Sequence, residues 1–538
     1  MPYGQASQRH SFGGNQTLRT SRVAVIGAGV GGLVAALELA AQGIEVIVLE
    51  RAPTPGGKLR ELAVGNARID SGPTVFTMRW VFEEIFDAIG ETLPAHLDLQ
   101  PVDVLARHAW DGHARLDLHA DIDRSAEAIG TFAGAAEARG YRDFCARAQR
   151  TYATLEHSFI RVQRPTLPQL TAAAGIRGIG DLWRLSPYTT LWKALSDHFR
   201  DPRLRQLFGR YSTYSGSSPF QAPATLMLIA HVEQEGVWLV QGGMQRIVTT
   251  LADLATARGA TVRTGAEVTE VLVAGGRACG VRLAGGERIE ADAVIANADA
   301  AAIAAGLLGR GAAAAAPGAD RAERSFSAVT WSMVAETAGF PLMRHNVFFS
   351  SDYTREFDDL RRARLPAGPT VYVCAQDRDA AGGALRGPER LLCLVNAPAV
   401  GDTRPFTASE IALCEERTFT HLRRCGLTVH RRPEATVVTT PAGFERLFPR
   451  TGGALYGRAV HGSTTSFQRP AARSQVPGLY LTGGSVHPGP GVPMAAMSGR
   501  LAVASLLADL ASMQRLHRVA MPGGMSMRSA MTGGTGSR

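Results

Sequence analysis

Apolar positions cluster in short continuous runs separated by longer stretches of helical rhythm. The first run, Arg22-Val23-Ala24-Val25-Ile26, gives way to a glycine-rich step and then to the helical spacing of Leu33 to Ala40. A second run, Glu45-Val46-Ile47-Val48-Leu49, closes on Glu50. Runs of this length with no polar alternation read as strands covered on both faces, so the three pieces predict a strand–helix–strand unit of a parallel sheet. The run Ala293-Val294-Ile295-Ala296 and the run Gly478-Leu479-Tyr480-Leu481 carry the same pattern far downstream. The second of them enters a glycine-rich turn that leads to a helix beginning near Met494.

Between these runs the pattern changes. Residues 101–235 are richer in helical periodicity, and 306–465 are mixed. Val268 to Val273 and Gly280 to Leu283 are short strands punctuated by Gly275-Gly276 and Gly285-Gly286, the latter pair reading as a hairpin turn. The alanine-rich run from Ala300 to Ala316, broken by glycines, reads as a helix plus loop. The expected fold class is α/β: a Rossmann-like nucleotide-binding domain assembled from 21–100, 236–305 and 466–512. Residues 101–235 and 306–465 form an inserted α+β domain for substrate and membrane association. Residues 1–20 and 513–538, polar and without periodicity, are expected to be disordered.

The glycine step narrows the chemistry. In Gly27-Ala28-Gly29-Val30-Gly31-Gly32, Gly27 permits a tight turn, Gly29 lets backbone approach a pyrophosphate, and Gly32 lets helix and strand pack closely. The free amides at the helix start suit the phosphates. Glu50 is placed to accept from a ribose diol, and its charge disfavours a 2′-phosphate. The adjoining loop carries Arg51, Gly56-Gly57, Lys58 and Arg60, which bring backbone and positive charge close to a ring or phosphate. Far along the chain, Gly483-Gly484 and Val492-Pro493-Met494 supply a second such site. Pro493 suits a first helical turn, which leaves neighbouring amides free for a flavin carbonyl. A nicotinamide needs only the first unit; a flavin needs both.

Composition sets outer limits. The chain has 538 residues, 45% hydrophobic and 20% charged, and carries a formal net charge of +9. The basic residues are scattered rather than blocked with aromatics, which argues against nucleic acid. They suit an anionic membrane surface, where each basic residue adds roughly 1 kcal/mol, and equally a solvated basic face with no partner. Six cysteines without close pairing suggest neither a disulfide framework nor a zinc site, so no metal is expected. No signal core and no apolar stretch long enough to cross a bilayer is evident, and the expectation is a peripheral protein on the cytoplasmic side of a membrane.

Together these motifs carry a resemblance. The glycine triplet, Glu50-Arg51, Gly56-Gly57-x-x-Arg60 and Asp70-x-Gly72 resemble the flavin amine oxidase and carotenoid desaturase superfamily. Gly242-Gly243-Met244, Asn297-Ala298-Asp299 and Gly483-Gly484-Ser485-Val486-His487-Pro488-Gly489 look like the bacterial phytoene-desaturase-type carotenoid desaturases. Two departures, Leu239-Val240 for the usual Tyr-Pro and Met494 for a glycine, are more similar to the hydroxyneurosporene (1-hydroxycarotenoid 3,4-) desaturase branch. The resemblance implies FAD held by Gly27, Gly29, Gly32, Glu50, Arg51, Gly57, Lys58, Arg60, Val268, Gly483, Gly484, Val492 and Met494. It implies desaturation of a lipophilic carotenoid bearing a tertiary 1-hydroxyl or 1-methoxyl group, with the membrane surface and other carotenoid biosynthesis enzymes as partners.

His487 is the candidate proton acceptor, with turn capping as its other role. His231 and Tyr214 are candidates for holding the substrate hydroxyl. Phe208, Tyr211, Tyr214, Phe220 and Trp238 are candidates for lining a tunnel, though core packing accounts for each. Leu182-Trp183, Tyr188 and Leu191-Trp192-Lys193 read as an interfacial helix or as one packed on the second domain. The rival functions are phytoene desaturation, amine or protoporphyrinogen oxidation, and non-catalytic prenyl-chain binding.

Overall fold

A computed structural model describes residues 21–163, 189–379 and 387–519 of the chain. Its first layer is a five-stranded sheet ordered Leu479–Leu481, Ala293–Ala296, Arg22–Ile26, Glu45–Leu49, Thr261–Arg263. All four pairings are parallel. The strands are covered on both faces, which is why their sequences read as unbroken apolar runs. The helix Val30–Ala41 is buried along nearly its whole length and packs against both Val492–Val519 and Gln245–Ala257. Contact with the last helix is close: a Cβ on Gly499 would sit 2.4 Å from the Gly31 carbonyl oxygen. The final helix is long and apolar enough over Val492–Ser512 to cross a membrane by composition alone. That differs from the expectation of no such segment; its apolarity serves the packing against Val30–Ala41 and Arg79–Ala88. It also runs to Val519, beyond the expected boundary at 512.

A small antiparallel sheet, Val268–Ala274, Arg277–Leu283 and Arg288–Glu290, follows the helix Gln245–Ala257. Both of its turns fall on the glycine pairs seen in the sequence, and Gly275 and Gly276 adopt φ of +57° and +76°. The Ala300–Ala316 run forms two short helices, Ala300–Ala304 and Arg310–Ala313, separated where Gly306 and Gly309 turn the chain.

The second large layer is an eight-stranded sheet. Its order is Thr428–His430, Ser327–Ala338, Glu389–Ala397, Val371–Ala375, His345–Phe348, Val104–Ala109, Arg115–His119, with Thr436–Thr439 beside Ser327–Ala338. All of its strands come from 101–235 and 306–465. The pair Val104–Ala109 and His345–Phe348 is parallel and joins the two stretches across more than two hundred residues. Helices Ile122–Ala133, Ala135–Leu155 and Tyr353–Arg361 cover it with an aromatic core around Phe144, Phe199 and Phe208.

Asp70 clamps the two layers together. Its carboxylate accepts from the Met244 and Gln245 amides at 2.8 and 3.3 Å, capping the helix Gln245–Ala257. Its backbone N–H and C=O exchange hydrogen bonds with the side chain of Gln376, beside the second sheet, at 3.0 and 2.8 Å. Burial pushes the Asp70 carboxyl up, opposed by the two amide bonds.

Two histidines on facing strands of the second sheet, His108 and His345, are buried as neutral rings, and burial pushes each down to about 3. A base whose folded value is depressed binds its proton first in the unfolded chain. Its stabilising contribution is complete above the unfolded value near 6.5 and is lost as pH falls towards the folded value. Between about pH 7 and about pH 5 each ring should therefore cost about 2 kcal/mol of stability. We expect His108→Asn to shrink the fall in thermal midpoint over that range, measured by calorimetry; an unchanged fall would show that His108 is not buried neutral.

Candidate functional site

Between the two layers runs one largely apolar cavity of about 1300 Å³. Ordinary small-molecule sites occupy roughly 300–1,000 Å³, so this one has room for more than a single ligand of usual size. It begins at Gly27, Glu50 and Val268, passes Gly57, Lys58 and the Gly483–Met494 loop, and reaches Tyr214, Tyr353 and Glu356 in the second domain.

At the first end, backbone is pressed against backbone. A Cβ on Gly32 would meet the Gly27 carbonyl at 2.2 Å, and one on Gly29 would meet Asn297 Nδ2 at 2.8 Å. Asn297 is the hub of this contact. Its Nδ2 donates to the Gly27 carbonyl at 3.3 Å, and its Oδ1 lies 2.8 Å from where a Gly483 Cβ would fall. The Asn297 side chain thus joins the two glycine turns, a role that the Asn-Ala-Asp motif signalled without specifying.

Glu50 is 7% exposed. One carboxylate oxygen accepts from the Ala28 amide at 2.7 Å, the other from Ala52 at 2.9 Å. A carboxylate has about four acceptor positions, so it holds the glycine turn against its own loop and retains lone pairs towards the cavity. Arg51 donates to the Arg446 carbonyl at 3.0 Å and to the Leu447 carbonyl. Lys58 is buried: its ammonium donates to the Leu455 carbonyl at 2.7 Å and lies over Phe448. Burial pushes it down, with Asp299 opposing and Arg469 adding to the effect. Arg60, bonded to Thr439 Oγ1 at 3.1 Å, and Arg469 are each lowered by burial to about 10.

At the last helix, the first backbone bond runs from Ala495 N–H to the Gly491 carbonyl at 2.8 Å. That leaves the Val492 and Met494 amides ahead of it at the positive helix end, where they lie along the cavity. In the same wall Asp299 supplies a buried Oδ2 without a partner among the described residues. Acceptors for a ribose, close-approach glycines, buried cations and helix-start amides in one cavity fit a flavin dinucleotide. All thirteen residues named for the cofactor line this cavity, except Gly32, which acts through its contact with Gly27.

His487 stands elsewhere. Its ring is not part of the cavity wall; Nε2 meets the Val162 carbonyl at 3.0 Å, and the ring packs edge-on against Phe159. Burial lowers it to about 4, so the ring is neutral and its polar contact is spent on backbone. This geometry suits anchoring of the loop rather than proton transfer. Of the five aromatic candidates only Tyr214 faces the cavity; Phe208, Tyr211, Phe220 and Trp238 pack behind it. Tyr214 is also committed, sharing Glu233 with Tyr211 at 2.7 and 2.9 Å and accepting from Arg210. His231 pairs with Glu235 at 3.4 Å and packs at a tilt against Tyr152, away from the cavity.

Leu239-Val240 lies in the short strand Trp238–Val240, paired with Leu99–Pro101. It does not face the cavity, so of the two departures only Met494 does. Trp192 packs on Phe220 and Tyr353 at ring distances of 4.7 and 5.9 Å, the core alternative for that helix. Trp183 and Tyr188 lie outside the described residues.

The model of the flavin-containing amine oxidoreductase family matches residues 30–507. A hydroxyneurosporene desaturase of Rubrivivax gelatinosus is 57% identical over 96% of this chain and 99% of its own length. One from Cereibacter sphaeroides is 45% identical over 92% and 99%, and a 4,4'-diapolycopene oxygenase of Methylomonas sp is 31% identical over 91% and 98%. Among solved structures, a putrescine oxidase shares the fold with a TM-score of 0.59 at 16% identity, covering 91% of this chain and 99% of its own. An oxidoreductase from Methanosarcina mazei gives 0.56 at 18%, covering 90% and 100%. With the family's pattern spread over nearly the whole folded chain and its nucleotide cradle assembled at one cavity, this chain belongs to the flavin-containing amine oxidoreductases and takes FAD as its cofactor.

Proposed function

We propose that the chain is an FAD-dependent carotenoid desaturase. It introduces a C3,4 double bond into acyclic carotenoids that already carry a 1-hydroxyl or 1-methoxyl group. The observation that carries this reading is full-length similarity, at 57% identity, to a protein named for that substrate class. The shape of the cavity supports it, because one continuous apolar space leads from the nucleotide cradle into the second domain.

Bound flavin supplies the two-electron acceptor for the hydrogens lost when a C–C bond becomes C=C. The protein's own work is placement. Gly27, Gly29, Gly32 and Asn297 fix the pyrophosphate end, Glu50 the ribose, and Gly57, Lys58, Arg60, Gly483, Gly484, Val492 and Met494 the ring end. Apolar walls from Ile229, Val232, Leu392 and Leu394 exclude water and hold a polyene in register, the orientational part of the rate gain. Met494 adds side-chain bulk to the cavity wall where a glycine would leave space, and would stand near the ring end of the bound cofactor.

The substrate partitions into lipid, so the protein must meet a membrane. Its net charge of +9 supports docking on an anionic surface, where other carotenoid biosynthesis enzymes would deliver and receive the pigment. Sedimentation with vesicles containing anionic lipid, partly released by salt, is expected; binding indifferent to both lipid charge and ionic strength would contradict the electrostatic part.

Glu50→Arg replaces a ribose acceptor with a donor and should abolish FAD retention, read as loss of flavin absorbance in protein that keeps its far-ultraviolet spectrum. Undiminished flavin content would contradict the assignment of Glu50. The substrate reading is tested in cells that make either phytoene or 1-hydroxyneurosporene. The hydroxylated pigment should gain one double bond and phytoene should pass unchanged; conversion of phytoene alone would restore the phytoene desaturase reading.

A further inference from the structure

In the second domain, the helix Tyr353–Arg361 places two polar side chains, one turn apart, against the same cavity. Tyr353 is 8% and Glu356 1% exposed. The Tyr353 hydroxyl and Glu356 Oε1 are buried and have no hydrogen-bond partner among the described residues. The other carboxylate oxygen is held by Thr370 Oγ1 at 2.6 Å, which fixes the group in place and leaves Oε1 directed elsewhere. The surroundings are aromatic: Tyr353 packs against Phe357 and Trp192 at ring distances of 4.9 and 5.9 Å, and Phe220 packs against Phe357 at 5.8 Å. Polar atoms left bare in such a wall are disfavoured unless a ligand meets them. Burial also pushes the Glu356 carboxyl up to about 7, with the Thr370 hydrogen bonds opposing.

We propose that Tyr353 and Glu356 form the end-group site of the substrate cavity, recognising the tertiary oxygen of the carotenoid. Glu356 Oε1 accepts from the 1-hydroxyl while the Tyr353 phenol donates to the hydroxyl oxygen. A 1-methoxyl keeps the Tyr353 bond and loses the Glu356 bond. A plain hydrocarbon end satisfies neither, and a site whose polar atoms stay unpaired rejects the analogue that lacks their partner. The proposal rests on the reading of this chain as a desaturase of hydroxylated carotenoids. It assigns the hydroxyl to residues other than Tyr214, whose oxygen is already engaged, and His231, which lies away from the cavity.

The test uses purified holoenzyme with 1-hydroxyneurosporene, its 1-methoxy ether or neurosporene delivered in vesicles. Tyr353→Phe, which keeps the ring and its packing, should lower kcat/KM for both oxygenated substrates by about ten-fold, the value of one hydrogen bond to a buried group. Turnover of neurosporene relative to them should rise. Glu356→Leu should lower the hydroxylated substrate alone, so that the hydroxyl-to-methoxyl preference shrinks. Flavin content and the far-ultraviolet spectrum show whether each variant is folded, and Tyr353→Phe decides the matter if Glu356→Leu is not. If wild type converts the hydroxylated carotenoid but Tyr353→Phe leaves the substrate ratios unmoved, the end-group site is overturned and the desaturase reading stands. If wild type leaves the hydroxylated carotenoid untouched, both fall.

Discussion

Everything in this molecule depends on how closely two glycine turns approach each other across Asn297. The first turn, at Gly27, and the second, at Gly483, leave no space for a Cβ: one on Gly27 would meet the Asn297 carbonyl oxygen at 2.7 Å, and one on Gly483 the Asn297 Oδ1 at 2.8 Å. That approach brings the start of the chain and its last quarter together at the C-terminal ends of the parallel strands. The same contact sets the start of the helix Val30–Ala41 beside the start of the helix Val492–Val519, so that two positive helix ends open on one cavity. A flavin dinucleotide needs such a pair of sites, one for its phosphates and one for its ring. The Glu50 carboxylate reinforces the arrangement by bonding the Ala28 amide of the first turn and the Ala52 amide of its own loop.

The second domain is tied to this frame through Asp70 rather than through a broad apolar face alone. Its carboxylate caps one helix of the nucleotide domain while its backbone engages Gln376 beside the eight-stranded sheet. That clamp holds the substrate cavity in line with the cradle. A desaturation at an unactivated carbon depends on alignment more than on a strong acid or base. The walls are accordingly apolar, and the buried His487 is spent on the Val162 carbonyl.

Much of this was legible in the sequence because the relevant signals are local. Unbroken apolar runs mark strands covered on both faces, and glycines at fixed offsets mark the turns, so the parallel sheet and its cradle could be read from residues 22–50 and 478–494. What stayed hidden depends on long-range placement. Nothing local tells that Asn297 bridges Gly27 and Gly483, that His487 turns from the cavity towards Phe159, or that Leu239 and Val240 sit in a strand paired with Leu99–Pro101. Tyr353 and Glu356 had no motif at all: a helix with one apolar and one polar face looks the same whether its buried polar groups meet protein or ligand. The composition of the last helix likewise does not separate a core helix from a spanning one.

The central claim is that one cavity holds the flavin and the hydroxylated polyene together, so that the cofactor takes the electrons directly. Anaerobic single-turnover conversion tests it most directly. Holoenzyme incubated with 1-hydroxyneurosporene without oxygen should yield one 3,4-desaturated product per bound FAD, quantified by chromatography of the extracted pigments, and flavin-free protein should yield none. Product formed by the flavin-free protein, or no product from the holoenzyme with substrate bound, would contradict the account.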